Sequence, residues 1–392
     1  MSEIVLGLGN NIDYEITWDS KIIERMIREQ GISDGEISIP REIATFRDMI
    51  LSILGFLRQG TGGERFVSDP AIIEGFADNF EKKITLGGTP ARAAMAMRKL
   101  GVIPAVHLVT MNEHVSRLLP KDCPSLCSNQ ETSSYPHLIV QFHRGTRIDV
   151  QDIHIETDRS NRIIYTHDRD NAFMALHERL SDFLSDAKVF LISGFNAMRD
   201  SALLEERLRR LKESMETLPP GAAVFYEDAC FHDPSLSAIV RRYLAPKITL
   251  YSLNEDELQN YLGRTVLLTD AQAVAEALED LQNLLPGPVL ILHTRYWALA
   301  YGPEAYGYTN ALLGGVAMAA ARFRCGDAFT RQDYEETLRL PPETAGETFA
   351  SEIRYLLGDK ASCIPSFLVP ETKATTVGLG DTFVGGFLPV LV

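Results

Sequence analysis

Short apolar runs alternate with amphipathic stretches along most of the chain, and this alternation limits the possible folds more than any other feature. Six apolar runs bounded by turn residues predict strands at 4–9, 104–110, 188–193, 222–226, 247–251 and 288–293. Stretches with helical periodicity lie at 91–100, 202–215, 255–262, 271–284 and 309–323. This order favours a parallel sheet covered by helices on both faces. Because ligands of such sheets bind beyond the carboxyl ends of the strands, functional residues are expected at the strand-to-helix junctions.

Two segments depart from the alternation. Residues 14–85 are rich in helices and loops without a clear strand periodicity, whereas residues 137–166 alternate apolar with polar side chains over 138–142, 148–155 and 162–165. The second pattern is typical of half-buried antiparallel strands. We therefore predict a small lid domain, made of 14–85 and 137–166, and a large α/β domain made of 1–13, 86–136 and 167–392. A lid over the carboxyl edge of the sheet would exclude water when it closes.

Charge and composition exclude several classes of protein. The 392 residues include 53 acidic and 38 basic side chains, a formal net charge of −15 at pH 7. A negative field of this size repels nucleic acids and anionic membranes, so we expect neither as a partner. No segment is apolar over the length of a bilayer and the first residues do not resemble a signal peptide, so a cytoplasmic protein is expected. The five cysteines are scattered, and Cys123 and Cys127 lack the further ligands of a zinc site.

A glycine-rich turn followed by an acid is the strongest local signal. It reads Thr375-Thr376-Val377-Gly378-Leu379-Gly380-Asp381 and precedes a predicted helix that starts at Asp381. Glycines two apart let backbone N–H groups approach a ligand closely, and a helix N-terminus attracts anions. The carboxylate of Asp381 would either cap the helix or, beside a bound phosphate, accept a proton from an attacking hydroxyl.

The turn and its acid resemble the Gly-x-Gly-Asp signature of ribokinase-fold sugar kinases, and more narrowly that of the ADP-dependent glucokinase/phosphofructokinase family. The resemblance implies a ribokinase-like three-layer α/β/α core with a mostly parallel sheet and a smaller, discontinuous α+β lid. It implies that Asp381 is the catalytic base and that Gly378 and Gly380 form an anion hole. It assigns nucleotide binding in the large domain to four residues of the turn: Val377, Gly378, Leu379 and Gly380.

The same resemblance implies a reaction and its partners. ADP would donate its β-phosphoryl group, with Mg²⁺ as cofactor, to a hydroxyl of a small-molecule sugar or sugar phosphate, and AMP would leave. The enzyme would be a monomer. The sequence contains no Gly-x-x-x-x-Gly-Lys-Ser/Thr motif, so a P-loop nucleotide site is not supported.

Two further motifs resemble elements of the family that lie against the sugar. Asn11 and Asp13, in Asn10-Asn11-Ile12-Asp13, resemble the family's Asn-x-Asn-x-Asp that contacts sugar hydroxyls, although an Asn/Asp turn at a strand end has the same pattern. Gly87 and Gly88 resemble the Gly-Gly element that opens a helix under the sugar. The residues after the glycine pair, Thr89-Pro90-Ala91-Arg92, depart from the family's pattern, which bears on the identity of the sugar.

Acidic residues in two later segments of the chain resemble the family's magnesium motifs. Asn254-Glu255-Asp256-Glu257 resembles Asn-x-x-Glu, which assigns nucleotide binding to Asn254 and Mg²⁺ with its waters to Glu257. Acids at the start of a helix are also expected from the helix dipole alone. Glu227 matches the Glu of a His-x-Glu motif whose His is replaced by Phe225, so a carboxylate role is expected without a role for an imidazole.

Arg162 and His293 complete the resemblance. Arg162, in Ser160-Asn161-Arg162-Ile163, resembles a lid arginine that reaches the nucleotide phosphates; the alternative is an exposed strand arginine. His293 is interpreted as a structural histidine at a strand end. Lys82, Lys83 and Arg92 flank the glycine pair, and they either face solvent or suit a sugar phosphate such as fructose 6-phosphate.

Two alternative functions remain open from the sequence. One is an ATP-dependent kinase of the same superfamily that acts on a carbohydrate or a nucleoside. The other is a non-catalytic sugar- or nucleotide-binding protein on the same fold, against which the presence of Asp381 and of both magnesium-associated acids argues. Glucose, fructose 6-phosphate and other polyols are not distinguished as acceptors.

Overall fold

A computed structural model describes residues 2–129, 132–231, 233–369 and 377–392. Its strands are β1 (Ile4–Leu6), β2 (Asn11–Ile16), β3 (Gly63–Phe66), β4 (Lys82–Gly87), β5 (Ala105–Leu108), β6 (Ser125–Cys127), β7 (Pro136–Phe142), β8 (Arg147–Val150), β9 (Ile153–Glu156), β10 (Asn161–Thr166), β11 (Val189–Ile192), β12 (Ala223–Glu227), β13 (Leu250–Asn254), β14 (Val289–His293), β15 (Trp297–Tyr301) and β16 (Ala361–Pro365). Its α-helices are α1 (Ser20–Gln30), α2 (Phe46–Gln59), α3 (Pro70–Ala77), α4 (Thr89–Lys99), α5 (Glu113–Leu118), α6 (Arg169–Phe173), α7 (Leu180–Leu184), α8 (Ser201–Met215), α9 (Pro234–Leu244), α10 (Glu255–Leu262), α11 (Ala271–Leu284), α12 (Thr309–Cys325), α13 (Arg331–Thr337), α14 (Thr344–Leu357) and α15 (Leu379–Phe387).

The larger sheet has nine strands in the order β16-β15-β14-β13-β12-β11-β1-β5-β6. Neighbouring strands are parallel from β14 through to β6, whereas β15 and β16 pair antiparallel at one edge. All six predicted apolar runs form strands of this sheet. The run at 247–251 is displaced by three residues, because a short 3₁₀ turn at Ala245–Lys247 delays the start of β13.

Two hydrophobic cores flank the larger sheet, one on each face. In β11, Phe190 and Ile192 pack into one core, and Val189 and Leu191 into the other. A strand buried on both faces therefore reads as a continuous apolar run, which is why the sequence predicts it well. Helices α8, α9, α10, α11 and α14 cover the first face, and α4, α12 and α15 cover the second.

The smaller sheet has five strands in the order β3-β10-β7-β2-β4. Its apolar face packs against α1, α2 and α3 and the hairpin β8–β9. The opposite face carries polar side chains, because Asn11, Asp13 and Glu15 alternate with Ile12, Tyr14 and Ile16 along β2. This polar face is where the predicted sugar contacts lie.

Residues 14–85, which show no clear strand periodicity in the sequence, nevertheless contain strands. They contribute β3, half of β2 and two thirds of β4 to the smaller sheet, and β2 and β4 run across the predicted domain limits at residues 13 and 86. The predicted run at 148–155 is in fact two strands, β8 and β9, joined through Gln151 at φ 55°. Neither glycine nor proline marks that turn, and Asp152 alone is a weak signal for it.

Among the described residues, no helix combines the length and the apolar character that crossing a membrane requires.

A buried histidine in β5 makes stability depend on pH. His107 is fully buried and its Nε2 accepts the backbone N–H of His177 at 3.0 Å. Burial lowers the pKa of His107 to about 3, from a usual value near 6.5. The unfolded chain therefore takes up a proton at this site as the pH falls below about 6.5, while the folded chain does not until about pH 3. Folding stability is lost in that window, by up to about 1.4 kcal/mol per pH unit.

We expect His107→Gln to remove this loss. The free energy of unfolding, measured by urea titration at pH 7, 6 and 5, should fall less steeply with decreasing pH in the variant than in the unmodified protein. His154→Gln is the control, because the His154 side chain is 70% exposed. Equal slopes for the unmodified protein and the His107 variant would contradict the prediction, whatever their stabilities at pH 7.

Candidate active site

The candidate site lies where the carboxyl ends of β12, β13 and β14 meet the start of α15. Glu227, Asn254 and His293 are the last residues of these three neighbouring strands. Parallel strands bring their carboxyl ends to one edge, so the sheet itself collects these side chains. Nε2 of His293 lies 3.0 Å from Oε1 of Glu227.

The glycine turn forms the N-terminus of α15. This helix begins at Leu379, two residues before the predicted start, and Gly378 occupies the N-cap position at φ 65°. Asp381 therefore lies in the first turn and does not cap the helix. The first intrahelical bond joins the Thr382 N–H to the Gly378 carbonyl at 3.1 Å. The earlier N–H groups have no intrahelical acceptor and can face an anion.

Both glycines of the turn are required by close neighbours. A Cβ on Gly378 would lie 2.8 Å from Nη1 of Arg92 and 2.9 Å from Nη1 of Arg322, and the positive φ also disfavours other residues. A Cβ on Gly380 would lie 3.2 Å from Cε1 of His293. The turn therefore packs directly against the ends of the strands. Val377 is buried beside it, and Thr375 and Thr376 of the motif lie outside the described residues.

Two residues of α4 contact the carboxylate of Asp381. The Thr89 hydroxyl donates to Oδ1 at 2.7 Å, and Nε of Arg92 lies 3.7 Å from Oδ2. The sequence did not single out either residue for contact with Asp381. The sequence does hold a signal for the pair: Thr89 and Arg92 are three residues apart, so both lie on one face of the first turn of the helix that follows the glycine pair.

The predicted sugar-binding residues Asn11 and Asp13 are linked by hydrogen bonds to the same guanidinium, that of Arg92. Nδ2 of Asn11 donates to Oδ1 of Asp13 at 2.6 Å, and Nη2 of Arg92 donates to Oδ2 of Asp13 at 2.6 Å. Gly87 has no space for a side chain, because a Cβ there would lie 2.3 Å from Nδ2 of Asn11. Gly88, at φ 83°, similarly approaches the backbone of Asn10. The glycine pair thus brings β4 and α4 against the Asn-Asn-Ile-Asp segment.

The basic residues near the glycine pair are ion-paired, and two of them, Lys83 and Arg92, line a small cavity. The expectation that Arg92 faces solvent is wrong, since it is only 4% exposed and ion-paired. Lys82 pairs with Asp78, and Lys83 pairs with Asp327. Burial disfavours the charge on Arg92, but the carboxylates of Asp13, Asp381 and Glu15 outweigh burial and raise its pKa.

Glu227 has an imidazole partner after all. The motif of Glu227 has Phe225 in place of its His, and the imidazole that contacts Glu227 comes instead from His293, two strands away. Burial alone would lower the pKa of His293, but Glu227 outweighs burial and raises it. Oε2 of Glu227 is buried and has no hydrogen-bond partner among the described residues. A buried, unpaired carboxylate oxygen fits a cation or its water.

Glu257 and Asn254 cap α10. Oδ1 of Asn254 accepts the N–H groups of Asp256 and Glu257, and Oε2 of Glu257 accepts the Asn254 N–H at 2.6 Å. Burial raises the pKa of Glu257 to about 8. In the described part of the chain, no three metal-binding side chains lie close enough to form a metal site by themselves. Mg²⁺ usually takes only one or two protein carboxylates and completes its shell with water and phosphate, so the donor set fits it.

Arg162 lies on the polar face of the smaller sheet but apart from the other residues. It pairs with Gln141, and Asp13 pairs with His137, so the β-sheet register puts all four side chains on one face. Arg162 and Asp13 are two strands and four residues apart in the sheet, so their backbones are separated by about 16 Å. The Arg162 side chain forms no hydrogen bond or ion pair with the other predicted site residues that the structure describes.

Comparison with known proteins identifies the family. Residues 2–388 match the conserved region described as ADP-specific phosphofructokinase/glucokinase. The ADP-specific phosphofructokinase of Pyrococcus abyssi is 24% identical, over 98% of this chain and 96% of its own length.

Two solved structures have the same fold. A phosphofructokinase from Pyrococcus horikoshii OT3 with AMP has a TM-score of 0.75 at 19% identity, covering 100% of this chain and 98% of its own. An ADP-dependent kinase in complex with fructose-6-phosphate and ADPβS has a TM-score of 0.78 at 16% identity, covering 99% and 94%.

The predicted α/β fold class and family resemblance are confirmed by these matches. The predicted enzyme class is confirmed at the level of the family. The chain therefore belongs to the ADP-specific phosphofructokinase/glucokinase family and shares its enzyme class, a kinase with a sugar hydroxyl as acceptor.

Proposed function

We propose that the protein transfers the β-phosphoryl group of ADP to a hydroxyl of fructose 6-phosphate, with Asp381 as the base. The observation that carries this proposal is the position of Asp381, in the first turn of a helix whose free N–H groups can hold phosphate, with Asp13 joined to it through Arg92. Fructose 6-phosphate is favoured over glucose by the names of the relatives, a phosphofructokinase and a kinase bound to that sugar phosphate.

The proposed reaction needs little covalent chemistry from the protein. The acceptor hydroxyl oxygen forms a bond to the β-phosphorus, the bond from that phosphorus to the bridging oxygen breaks, and AMP leaves. The hydroxyl proton passes to a carboxylate oxygen of Asp381. Asn11 and Asp13 orient the sugar by hydrogen bonds, and the N–H groups of the glycine turn stabilise negative charge on the phosphoryl oxygens.

Two further elements belong to the proposal. Glu227 and Glu257 would hold Mg²⁺, directly or through water, and the cation would neutralise charge on the ADP phosphates. The free oxygen of Glu227 is the support for this assignment. Arg162 would add a cation at the phosphates when the smaller sheet closes on the larger one, because its face of the sheet carries the sugar contacts.

A grid of donors and acceptors tests the proposal. We would assay ADP and ATP with fructose 6-phosphate, glucose and ribose in the presence of Mg²⁺, and measure AMP, ADP and sugar-phosphate release. Fructose 6-phosphate with ADP should give AMP, with kcat/KM at least about 100-fold above the same acceptor with ATP. Turnover with ATP alone would instead support an ATP-dependent kinase. Tight nucleotide binding without product on any acceptor would support a binding protein.

A further inference from the structure

Arg92 is a deeply buried cation of the candidate site. It lies in the first turn of α4 with 4% exposure, although burying a guanidinium is strongly unfavourable unless its charge is compensated. Four side-chain oxygens compensate it, and none belongs to its own helix. Their distances from the guanidinium are 2.6 Å for Asp13, 3.5 Å for Glu15, 3.5 Å for Thr85 and 3.7 Å for Asp381.

These partners come from different parts of the fold. Asp13 and Glu15 lie on β2 of the smaller sheet, whereas Asp381 lies on α15 against the larger sheet. Among the described residues, Arg92 is the one side chain that forms ion pairs with both Asp13 and Asp381. The proposed sugar-binding carboxylate and the proposed base are therefore connected through a single side chain.

The chemistry of the guanidinium suits this connection. It is a planar and permanently charged fork, so it fixes the direction of each carboxylate that it contacts. Two carboxylates near one another repel, and the Asp381 side chain is 23% exposed, so its orientation depends on the groups that contact it. The two oxygens of Asp381 have different partners: the Thr89 hydroxyl donates to Oδ1, and Arg92 lies beside Oδ2.

A second buried arginine restrains the other side of the turn. Arg322 pairs with Asp327 at 2.8 Å, and its Nη1 lies 3.2 Å from the Thr382 hydroxyl and 3.4 Å from the Gly378 carbonyl. Arg322 holds the backbone of the turn and makes no ion pair with Asp381. The orientation of the Asp381 carboxylate itself therefore depends on α4, through Arg92 and Thr89.

We infer that Arg92 is a positioning residue, which fixes the carboxylate of Asp381 relative to that of Asp13 so that a sugar hydroxyl bound by Asp13 is presented to the base. This inference rests on the proposed function, in which Asp381 is the base. It predicts that Arg92 acts on turnover only through Asp381.

A double-mutant cycle tests that dependence. Arg92→Met should lower kcat with fructose 6-phosphate and ADP by about 10- to 100-fold and raise the sugar KM several-fold, with little change in the KM for ADP. In the Asp381→Asn background, Arg92→Met should change the residual kcat by less than about 3-fold. A merely structural role would give the same loss in both backgrounds, and that result would overturn the inference.

A matched control and a conservative variant secure the result. Arg98→Met makes the same change on the same helix, where Arg98 pairs with Asp122 outside the site, and should leave kcat unchanged. Should the Arg92→Met protein not fold, Arg92→Lys keeps the charge but loses the fork, and the same cycle is run with it. We expect a smaller loss of kcat for Lys, again absent in the Asp381→Asn background; equal losses in both backgrounds would again overturn the inference.

The two proposals fail in different ways. If Asp381→Asn alone keeps its turnover, the base assignment is wrong and the proposed mechanism fails with it. If Asp381→Asn loses turnover but Arg92→Met lowers kcat equally with and without it, Asp381 remains the base and only the role of Arg92 is refuted.

Discussion

Replacing Asp381 with Asn should lower kcat by about 10²- to 10⁴-fold, the usual effect of losing a general base. The Asn side chain keeps an oxygen that can accept the Thr89 hydroxyl at Oδ1, so the local structure should survive. It loses the ability to take the proton of the sugar hydroxyl. The KM for fructose 6-phosphate and the Kd for ADP should change by less than about 5-fold, because the binding groups stay in place. Steady-state kinetics and calorimetry measure these quantities.

Asp327→Asn is a closely matched control for this experiment. The side chains of Asp327 and Asp381 are each 23% exposed, and each lies beside a buried arginine, Arg322 and Arg92 respectively. Asp327 is connected to the glycine turn only through Arg322, which contacts the Gly378 carbonyl, so kcat should fall much less than in Asp381→Asn. Near-normal turnover of Asp381→Asn would contradict its role as base, and an equal loss in both variants would mean that any change of charge in this network is harmful.

The sequence predicts the larger sheet well for a physical reason. Strands such as β11 are buried on both faces, so every residue is apolar and the run stands out. The smaller sheet has a continuous apolar core on one face only, and β3 and β4 are short strands that carry Arg and Lys residues. Their alternation is too brief to separate them from the surrounding helices and loops, which is why the strands in residues 14–85 were missed.

The residues of the candidate site likewise form two groups, those that the sequence indicates and those that it does not. Residues that belong to short contiguous motifs, such as Asp13 and Asp381, could be proposed from the sequence because the motif carries both position and chemistry. Partners supplied by other elements could not. Arg92 looked like a charge on a helix surface, and His293 like a structural histidine, because neither shows in sequence which carboxylate it meets across the fold.

The second large effect is expected at Glu227. Its Oε1 is held by His293 at 3.0 Å, whereas Oε2 is buried and free of partners in the described chain. Glu227→Gln keeps the shape of the side chain but removes the negative charge. If Glu227 helps to hold Mg²⁺, the concentration of Mg²⁺ for half-maximal rate should rise by about 10- to 100-fold and kcat at saturating Mg²⁺ should also fall. Initial rates over a Mg²⁺ titration at fixed ADP measure both.

The same titration separates a metal role from simple loss of charge near the phosphates. Asp256→Asn removes one negative charge from the first turn of α10, where Asp256 is exposed, and should leave the Mg²⁺ requirement unchanged. Glu257→Gln should raise the requirement as Glu227→Gln does. A Glu227 variant with a normal Mg²⁺ requirement but a lower kcat would mean that the carboxylate acts through His293 and the glycine turn. That imidazole packs closely against the turn, since a Cβ at Gly380 would lie 3.2 Å from it.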